Sequence, residues 1–363
     1  MKKIIKDKIK VSPITDKEKL KKKGFGKAPA KWEDSMRTNG GKGSFEWWYT
    51  DAHFKDGSTL VAVFFTKSLQ EIDSPLTPEI EIIYTPAKGK EFNKLFRFSP
   101  SEFKASKDQC DVNIGKNYFR GDLKKYEIHI EDEETGACFD LVINRQTESW
   151  RAGDGCFYYG NTGKYLGWFV AVPQGKMDAI IKIGGKIKKH SGSAYHDHNW
   201  GNVGMPEIIN HWYWSRAEIG PYTVINSNIC CPKMYDLAEW GCAILAKDGK
   251  ILSDDASCQQ LFRSTPHVQP VTGKLVSDII KFINIDKKGD GYELTLIKDH
   301  NISDDEKIKN PFVRAIAEIA GKNVGYHRMI GTAELKMVHK GCTKKVLTND
   351  AAVWEMMSFA DPE

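Results

Sequence analysis

The chain has 363 residues, of which 40% are hydrophobic and 11% aromatic, and its formal net charge is +5. A chain of this length and composition can bury a substantial core and ordinarily divides into about two domains. No apolar run reaches the roughly 20 residues of a membrane-spanning helix, and the Lys-rich start lacks a signal-peptide pattern, so we expect a cytoplasmic protein.

The positive charge is concentrated at the N-terminus. Residues 1–31 contain twelve Lys against three acidic residues, a net charge of +9, which leaves about −4 for the other 332 residues. Residues 1–35 are therefore predicted to form a solvated, flexible arm, and weak contact with a membrane surface is the alternative role. Because the rest of the chain is mildly acidic, we expect no nucleic-acid partner.

The eight cysteines follow no regular spacing and include no CxxC pair, so we expect reduced thiols rather than a disulfide framework.

From residue 44 onward, short β-prone runs alternate with turn residues, which indicates an all-β protein with antiparallel sheets closed into barrels or paired as sandwiches. The predicted strands include 59–66, 79–85, 126–130, 138–144, 166–172, 177–183, 292–297 and 332–338. Few helices are expected. The clearest candidate is 311–320, which has Pro near its start and Gly just past its end.

Two aromatic segments about half a chain apart resemble each other. The first begins at Glu46 and the second at His211, and each leads to a glycine turn and a further strand-like run. Their alignment pairs Trp47 with Trp212 and Tyr49 with Trp214. This similarity predicts two related β domains in tandem, 36–205 and 206–363, since Gly and Pro residues interrupt the pattern between 201 and 209.

The segment 193–201 carries the strongest indication of chemistry, with the sequence SAYHDHNWG. If it forms a strand, His196, His198 and Trp200 share one face, and Asp197 lies on the other. Imidazole exchanges protons near neutral pH, and a neighbouring carboxylate can orient it, so this group predicts proton transfer. The alternative is a hydrogen-bonded polar plug that joins two sheets.

Two His at positions i and i+2 of a strand could also share a metal ion. The third ligand would have to be His211, His53 or Glu46, none of which has diagnostic spacing. We therefore expect no metal and no other cofactor, and no phosphate-binding glycine loop is evident either.

The ten tryptophans suggest an apolar pocket in addition to ordinary core packing. Indole faces can stabilise a carbocation, which suits a hydrophobic, alkene-bearing substrate. The predicted substrate-binding residues come from the two aromatic segments and the strand that follows the second: Glu46, Trp47, Trp48, Tyr49, His211, Trp212, Trp214 and Tyr222.

Three motifs together resemble the carotenoid 1,2-hydratase (hydroxyneurosporene synthase) and AttH-like lipocalin superfamily, which includes kievitone hydratases and decalin-forming Diels-Alderases. They are the segment that begins at Glu46, the residues 196–201, and the late segment 326–331 followed by Trp354. The resemblance covers about 40–358. It implies two lipocalin-like β domains, a ligand cavity at or near their junction, and a reaction without a cofactor.

The resemblance also implies roles for particular residues. His198 and Trp200 match the His-x-Trp pair that is thought to serve catalysis in the hydratases of this superfamily. No Tyr-x-Asp pair stands at the distance at which those enzymes have one, because the strand-like run from Tyr222 has no acid. This departure counts against carotenoid hydration itself, and we infer from the residues alone that Asp197 or Glu46 replaces the missing acid.

The leading hypothesis is a hydratase that protonates a C=C bond of an isoprenoid or prenylated substrate. In this hypothesis Asp197 or His198 donates the proton, Trp200 with Trp212 or Trp214 stabilises the cation, and His196 positions water. A pericyclase or cyclase of natural-product biosynthesis is the second hypothesis. A carrier that binds a lipophilic molecule unchanged is the third. The oligomeric state cannot be inferred from the sequence.

Overall fold

A computed structural model describes residues 10–68, 72–270, 272–303 and 325–359. Strands dominate it. In chain order they are β1 (Val11–Ser12), β2 (Phe45–Phe54), β3 (Thr59–Phe65), β4 (Glu79–Thr85), β5 (Phe92–Arg97), β6 (Phe103–Ala105), β7 (Cys110–Ile114), β8 (Asn117–Gly121), β9 (Lys125–Asp132), β10 (Ala137–Arg145), β11 (Trp150–Tyr159), β12 (Tyr165–Ile183), β13 (Lys186–Gly201), β14 (His211–Ile219), β15 (Tyr222–Cys230), β16 (Glu239–Lys247), β17 (Lys250–Ser253), β18 (Gln259–Val268), β19 (Leu275–Ile285), β20 (Gly291–Ser303), β21 (Gly325–His339) and β22 (Cys342–Ser358).

Helical structure is short among the described residues. There are two α-helices, α1 (Lys17–Lys22) and α2 (Met205–Ile208), and three 3₁₀ turns at Lys31–Asp34, Pro100–Glu102 and Lys233–Tyr235. No helix in the described ranges is long and apolar enough to cross a membrane. The helix predicted over 311–320 lies outside the described residues.

The chain divides into two compact units, and each has its own antiparallel sheet. The N-terminal unit comprises Pro13–Tyr158 and Lys164–Gly204, and its strands run in the order β5-β4-β3-β2-β13-β12-β10-β9-β8-β7-β6, with β11 beside β12. The C-terminal unit takes in the described residues from Met205 onward, together with Tyr159–Gly163 and the residues up to Ser12. Its strands run β17-β16-β15-β14-β22-β21-β20-β19-β18. The all-β prediction is confirmed, whereas the domain limits 36–205 and 206–363 stay a prediction.

The period of two in the sequence explains why these strands curl around a core. In β9, Tyr126, Ile128 and Ile130 are buried at alternate positions, and in β10 Phe139 and Leu141 are buried in the same way. The residues between them are polar or partly exposed, so one face of the sheet turns inward and encloses an apolar core. The C-terminal sheet builds a second core from β14, β15, β19, β20, β21 and β22.

The two aromatic segments occupy equivalent places in their sheets. β2 contains the first segment and lies between its hairpin partner β3 and the long strand β13. β14 contains the second segment and lies between its hairpin partner β15 and the long strand β22. This common topology is the arrangement expected of an internal repeat.

One long strand differs from the sequence prediction. Runs 166–172 and 177–183 were expected to be separate strands, but both belong to β12. Register shifts between Val170 and Gly175 absorb the intervening Pro173, so the chain bends through bulges without leaving the sheet. The strand then turns at Gly184 and Gly185, whose φ angles of 56° and 76° suit the two-residue hairpin into β13.

The predicted N-terminal arm also differs from the structure at its end. Residues 31–34 form a 3₁₀ turn in which Glu33 and Asp34 are buried. The guanidinium of Arg151 pairs with Glu33. These carboxylates are not solvated: Glu33 pairs with Arg151, and Asp34 faces the imidazoles of His196 and His198. Residues 1–9 lie outside the described ranges.

The eight cysteines are all free, as expected from their scattered positions.

Candidate active site

The segment predicted to carry the chemistry forms the C-terminal half of β13, between β12 and β2. Its register pairs His198 with Trp48 and Trp200 with Glu46 on one side. The expected alternation is confirmed. His196, His198 and Trp200 point to the inner face with Trp48 and Glu46, and Tyr195, Asp197 and Asn199 point to the outer face with Trp47 and Tyr49.

On the inner face, His198 lies between two carboxylates. Its Nε2 is 2.8 Å from Glu46 Oε1, and its Nδ1 is 3.4 Å from Asp34 Oδ1. A neutral imidazole has a single N–H, so both ring nitrogens can face carboxylate oxygens favourably only in the imidazolium form. Burial alone would lower the pKa of His198, but hydrogen bonds and charges from Asp34 and Glu46 outweigh it and raise that pKa above its usual value.

Asp34 links this ring to the second histidine. Its Oδ2 accepts hydrogen bonds from Tyr126 Oη at 2.5 Å and faces His196 Nε2 at 3.2 Å, while His196 Nδ1 donates to the Tyr49 carbonyl at 2.8 Å. Burial raises the pKa of Asp34, but the charges and hydrogen bonds of His196 and His198 outweigh burial and hold it well below its usual range. Asp34 is therefore an anion in the core.

Glu46 is held in the same way. Its Oε1 also accepts from the Arg37 backbone N–H at 2.5 Å, and its Oε2 accepts from the backbone N–H and the hydroxyl of Thr38 at 2.8 and 2.6 Å. These bonds tie residues 34–38 to the inner face of the sheet. The inner cluster, defined as Asp34, Glu46, His196 and His198, is thus fully enclosed, and the positive charge of His198 lies between its two carboxylates.

Aromatic rings cover the inner cluster. The Trp48 ring stacks on His198 with centroids 4.6 Å apart, and the Trp200 ring lies 4.9 Å from His198 on another side. The Arg37 guanidinium lies over Trp200 at 5.3 Å. His198 is 0% exposed and Trp200 is 4% exposed. That this pair faces an apolar chamber therefore stays a prediction.

The position of Trp200 depends on Gly167, its partner on β12. A Cβ at residue 167 would overlap the indole of Trp200. We expect Gly167→Ala to lower the free energy of unfolding by about 1–3 kcal/mol and to change the near-ultraviolet circular dichroism of the tryptophans. Gly26→Ala is the control, since its Cβ would meet its nearest neighbour at an ordinary 3.4 Å. Equal stability and spectra for both variants would show that Trp200 is not held by this contact.

On the outer face, Asp197 receives three hydrogen bonds. Trp168 Nε1 and Tyr195 Oη donate to its Oδ2 at 2.8 and 2.9 Å, and Asn199 Nδ2 donates to its Oδ1 at 3.0 Å. Burial raises the pKa of Asp197 to about 6, although these donors and His196 oppose the shift. Desolvation thus raises the pKa of this carboxyl toward neutrality, as expected from the sequence, and the protonated acid predominates only below about pH 6.

The two faces of β13 separate groups that the sequence hypothesis combined. Asp197 does not act beside His198 and Trp200, because the strand backbone lies between them. The aromatic ring in contact with the Asp197 carboxyl is Trp168, and Trp150 packs edge-on against Trp168 with centroids 5.9 Å apart. His196 is engaged by Asp34 and a backbone carbonyl, so the role predicted for it in positioning water has no support in its contacts.

The residues predicted to bind substrate fall into three groups. Glu46 and Trp48 belong to the inner face, whereas Trp47 and Tyr49 belong to the outer face of the same strand. The other four belong to the C-terminal unit: His211, Trp212, Trp214 and Tyr222. A shared role for Trp200 with Trp212 or Trp214 consequently stays a prediction.

Sequence reasoning did not select Asp34 or Trp168 as site residues. Asp34 is 162 positions from His196 and precedes the first aromatic segment within a Lys-rich stretch, so no spacing rule connects it to the cluster. Trp168 is different. Its strand is the hairpin partner of 193–201, and regular pairing about Gly184-Gly185 would have placed it opposite Gly201. The two register shifts in β12 move its partner to Asn199, next to Asp197.

Asp34, Cys110 and His196 have ligand atoms within 4.8 Å of one another, which suits a metal ion. Their contacts fit a metal poorly. Without a metal, burial, followed by the negative charge of Asp34, raises the pKa of Cys110 well above its usual value. Asp34 Oδ2 already accepts from Tyr126. The ligands considered from the sequence, His53, His211 and Glu46, are not those of this group.

Comparison with known proteins identifies similar chains. A family model described as Diels-Alderase-like matches residues 144–261. The quinolone epoxide rearrangement protein penF of Penicillium thymicola is 30% identical over 25% of this chain and 24% of its own length. The hydroxyneurosporene dehydrogenase of Chlorobaculum tepidum is 24% identical over 48% of this chain and 54% of its own. This chain thus spans about a quarter and about half of the lengths of these relatives.

The crystal structure of kievitone hydratase from Nectria haematococca shares the fold. It superposes with a TM-score of 0.55 and 14% identity, covering 97% of each chain. The predicted resemblance to the superfamily is confirmed. The lipocalin-like, antiparallel β architecture expected of this superfamily is likewise present in both units.

Proposed function

We propose that this protein is a cofactor-free enzyme of natural-product chemistry that adds water to a C=C bond of a hydrophobic isoprenoid or prenylated compound, with Asp197 as the proton donor. The observation that carries the proposal is the Asp197 carboxyl, whose pKa burial raises to about 6 among aromatic side chains. Alkene protonation requires a general acid, and a carboxyl with a raised pKa keeps its proton up to about pH 6 and so can serve as one in weakly acidic solution.

The proposed reaction has two steps. The Asp197 carboxyl transfers its proton to the less substituted carbon of the alkene, which leaves a tertiary cation and a carboxylate. Water then bonds to the cation and returns a proton to the carboxylate. The indole N–H of Trp168 and the hydroxyl of Tyr195 donate hydrogen bonds to the carboxylate that the first step leaves.

The inner cluster has a positioning role in this proposal. Its imidazolium and carboxylates compensate one another and hold β13, β2 and residues 34–38 together, so they fix the strand that presents Asp197. The superfamily resemblance instead implies a catalytic role for His198 and Trp200. The first assignment predicts that substitution of Asp197 lowers activity. The second predicts the same for substitution of His198 or Trp200.

The name of one similar protein agrees with a reaction of this kind, since it is called a kievitone hydratase. Another is called a hydroxyneurosporene dehydrogenase, which names an isoprenoid compound but a different reaction. Their names guide the choice of test compounds and do not fix the substrate of this chain.

The test incubates the protein with kievitone and with acyclic carotenoids in H₂¹⁸O and in D₂O, and follows products by mass spectrometry. We expect a product heavier by one water that carries ¹⁸O and one carbon-bound deuterium. Because the protonated acid reacts, the rate should be highest below about pH 6 and fall as pH rises through the pKa of Asp197.

Asp197→Asn should lower the rate by about 10²–10⁴-fold, the usual contribution of a general acid. The control is Asp178→Asn on the neighbouring strand β12, which removes an exposed carboxylate and should leave the rate unchanged. His198→Gln should retain the pH profile if the ring only positions the strand. Full activity of Asp197→Asn, with loss of activity in folded His198→Gln, would refute the assignment of the acid.

A rearrangement or pericyclic reaction is the second candidate. It is favoured by the Diels-Alderase-like match and by the relative named an epoxide rearrangement protein. A product isomeric with its substrate, without ¹⁸O or carbon-bound deuterium, would support it. Stoichiometric binding with the ligand recovered unchanged would instead support a carrier.

A further inference from the structure

The C-terminal unit contains a cavity of about 210 Å³ that the proposed reaction does not use. Its polar wall is formed by His211, Tyr213, Arg263 and Lys274, and Leu275 and Met356 contribute to its apolar wall. None of the described residues that line it is acidic. A cavity with cations at one side and hydrocarbon at the other is complementary to an amphipathic anion.

Arg263 is held in place at this cavity by neighbouring rings. Its guanidinium centre lies 5.5 Å from the Tyr213 ring centroid, and its Nη1 lies 3.4 Å from His211 Nε2. The Glu239 carboxylate is 3.7 Å from Nη2, and both side chains are at least one-third exposed, so that ion pair is weak. Guanidinium nitrogens thus remain available to a carboxylate, which Arg binds in a bidentate manner.

His211 is the neutral neighbour of this cation. Its Nδ1 lies 2.8 Å from Asn210 Oδ1, which fixes the proton on Nδ1 and leaves Nε2 as the acceptor of Arg263. Burial, and then the charge of Arg263, lowers the pKa of His211 to about 4. The ring therefore orients Arg263 and adds no charge of its own near neutral pH.

Lys274 supplies the second cation and is 1% exposed. Its aliphatic stem fills the space where a Cβ at Gly325 would otherwise lie. Lys274 lines the same cavity as Arg263, and its positive charge adds to the preference for an anion, because electrostatic attraction is larger where water is excluded. Leu275 and Met356 offer the surface that a hydrocarbon body would cover.

We propose that this cavity binds the carboxylate or acidic enol of an amphipathic organic molecule, with Arg263 and Lys274 as its cationic contacts. The site is separate from Asp197, and the proposal holds whichever reaction the protein catalyses. Carboxylate and enolate share the chemistry that Arg263 recognises, so the ligands of the test must distinguish them.

The test measures binding by isothermal titration calorimetry on the full chain, without turnover. The probes are octanoate, octanol and dehydroacetic acid, which are a carboxylate, its uncharged analogue and an acidic cyclic enol. We expect octanoate or dehydroacetic acid to bind at least about tenfold more tightly than octanol, and the tighter anion identifies the preferred head group. Equal affinity for octanoate, octanol and dehydroacetic acid, or no binding of either anion, would overturn the proposal.

Arg263→Gln should weaken anion binding by at least about tenfold and leave octanol binding unchanged. Arg263 is partly exposed, so this variant should fold. Lys274→Met removes a buried group, and it serves as a second variant only if its unfolding curve matches that of the wild-type protein. Arg120→Gln removes an exposed Arg of the N-terminal unit and is the control for net charge. Unchanged anion affinity in Arg263→Gln would exclude Arg263 as the recognition residue.

Discussion

Asp34→Asn is expected to lower the free energy of unfolding by about 3–5 kcal/mol, the loss that follows when one partner of a buried ion pair is removed. Asp34 faces His198 Nδ1 and His196 Nε2 and accepts from Tyr126, and none of these groups can reach water in the folded state. The amide would leave His198 with one carboxylate instead of two. Urea unfolding followed by tryptophan fluorescence measures the change.

Asp197→Asn is the matched control for this stability measurement. Asp197 is also buried and also accepts hydrogen bonds, but it faces indole, phenol and amide donors, and its pKa is raised to about 6. Asp197→Asn keeps one uncharged amide oxygen facing Trp168 and Tyr195. It should therefore lower the free energy of unfolding much less than Asp34→Asn does. An equal decrease in the free energy of unfolding for both variants would show that charge compensation by Asp34 makes no specific contribution to stability.

The stability of the wild-type protein is expected to fall as pH rises above about 6.5, the ordinary pKa of an unfolded histidine. The pKa of His198 is raised in the folded state, so the folded protein binds this proton more tightly than the unfolded chain does. The contribution is complete below about pH 6.5 and is lost as pH rises through the folded pKa of His198. Urea unfolding between about pH 6.5 and 8 measures the slope.

His198→Gln should flatten this pH dependence, because the titrating group is gone while an amide still occupies the site. The window begins above the folded pKa values of Asp197 and His211, about 6 and about 4. His129→Gln is the control, since His129 is paired with Asp140 at a partly exposed position. A steep slope that persists in His198→Gln would assign the pH dependence to other groups.

At acidic pH, the stability of the protein should depend on Asp34, one of the two carboxylates of the inner cluster. The pKa of Asp34 is lowered in the folded state, so its contribution is present above the unfolded value near 3.9 and is lost as pH falls further. Stabilising terms from Asp34 and His198 are therefore both complete between about pH 4 and 6.5.

Local pattern was enough to predict several features of this protein. The period of two in β4, β9 and β10, and the glycine pair between β12 and β13, determined strands and a turn that the structure contains. The same period predicts that His198 and Asp197 lie on opposite faces of β13, as they do. The aromatic segments at Glu46 and His211 indicated a repeat, and the two sheets place them equivalently.

Tertiary structure alone decided which charges meet. Asp34 reaches His196 across 162 residues, and Trp168 reaches Asp197 across a hairpin, so neither contact leaves a short-range signature. The same holds for the cavity of the C-terminal unit, where Arg263 and His211 meet from strands that are not adjacent in sequence. The sequence by itself determined the strands and their faces, because side-chain alternation is a property of each strand. The pKa shifts of Asp34, Asp197 and His198 depend on the fold alone, because burial and contacts with residues distant in sequence cause them.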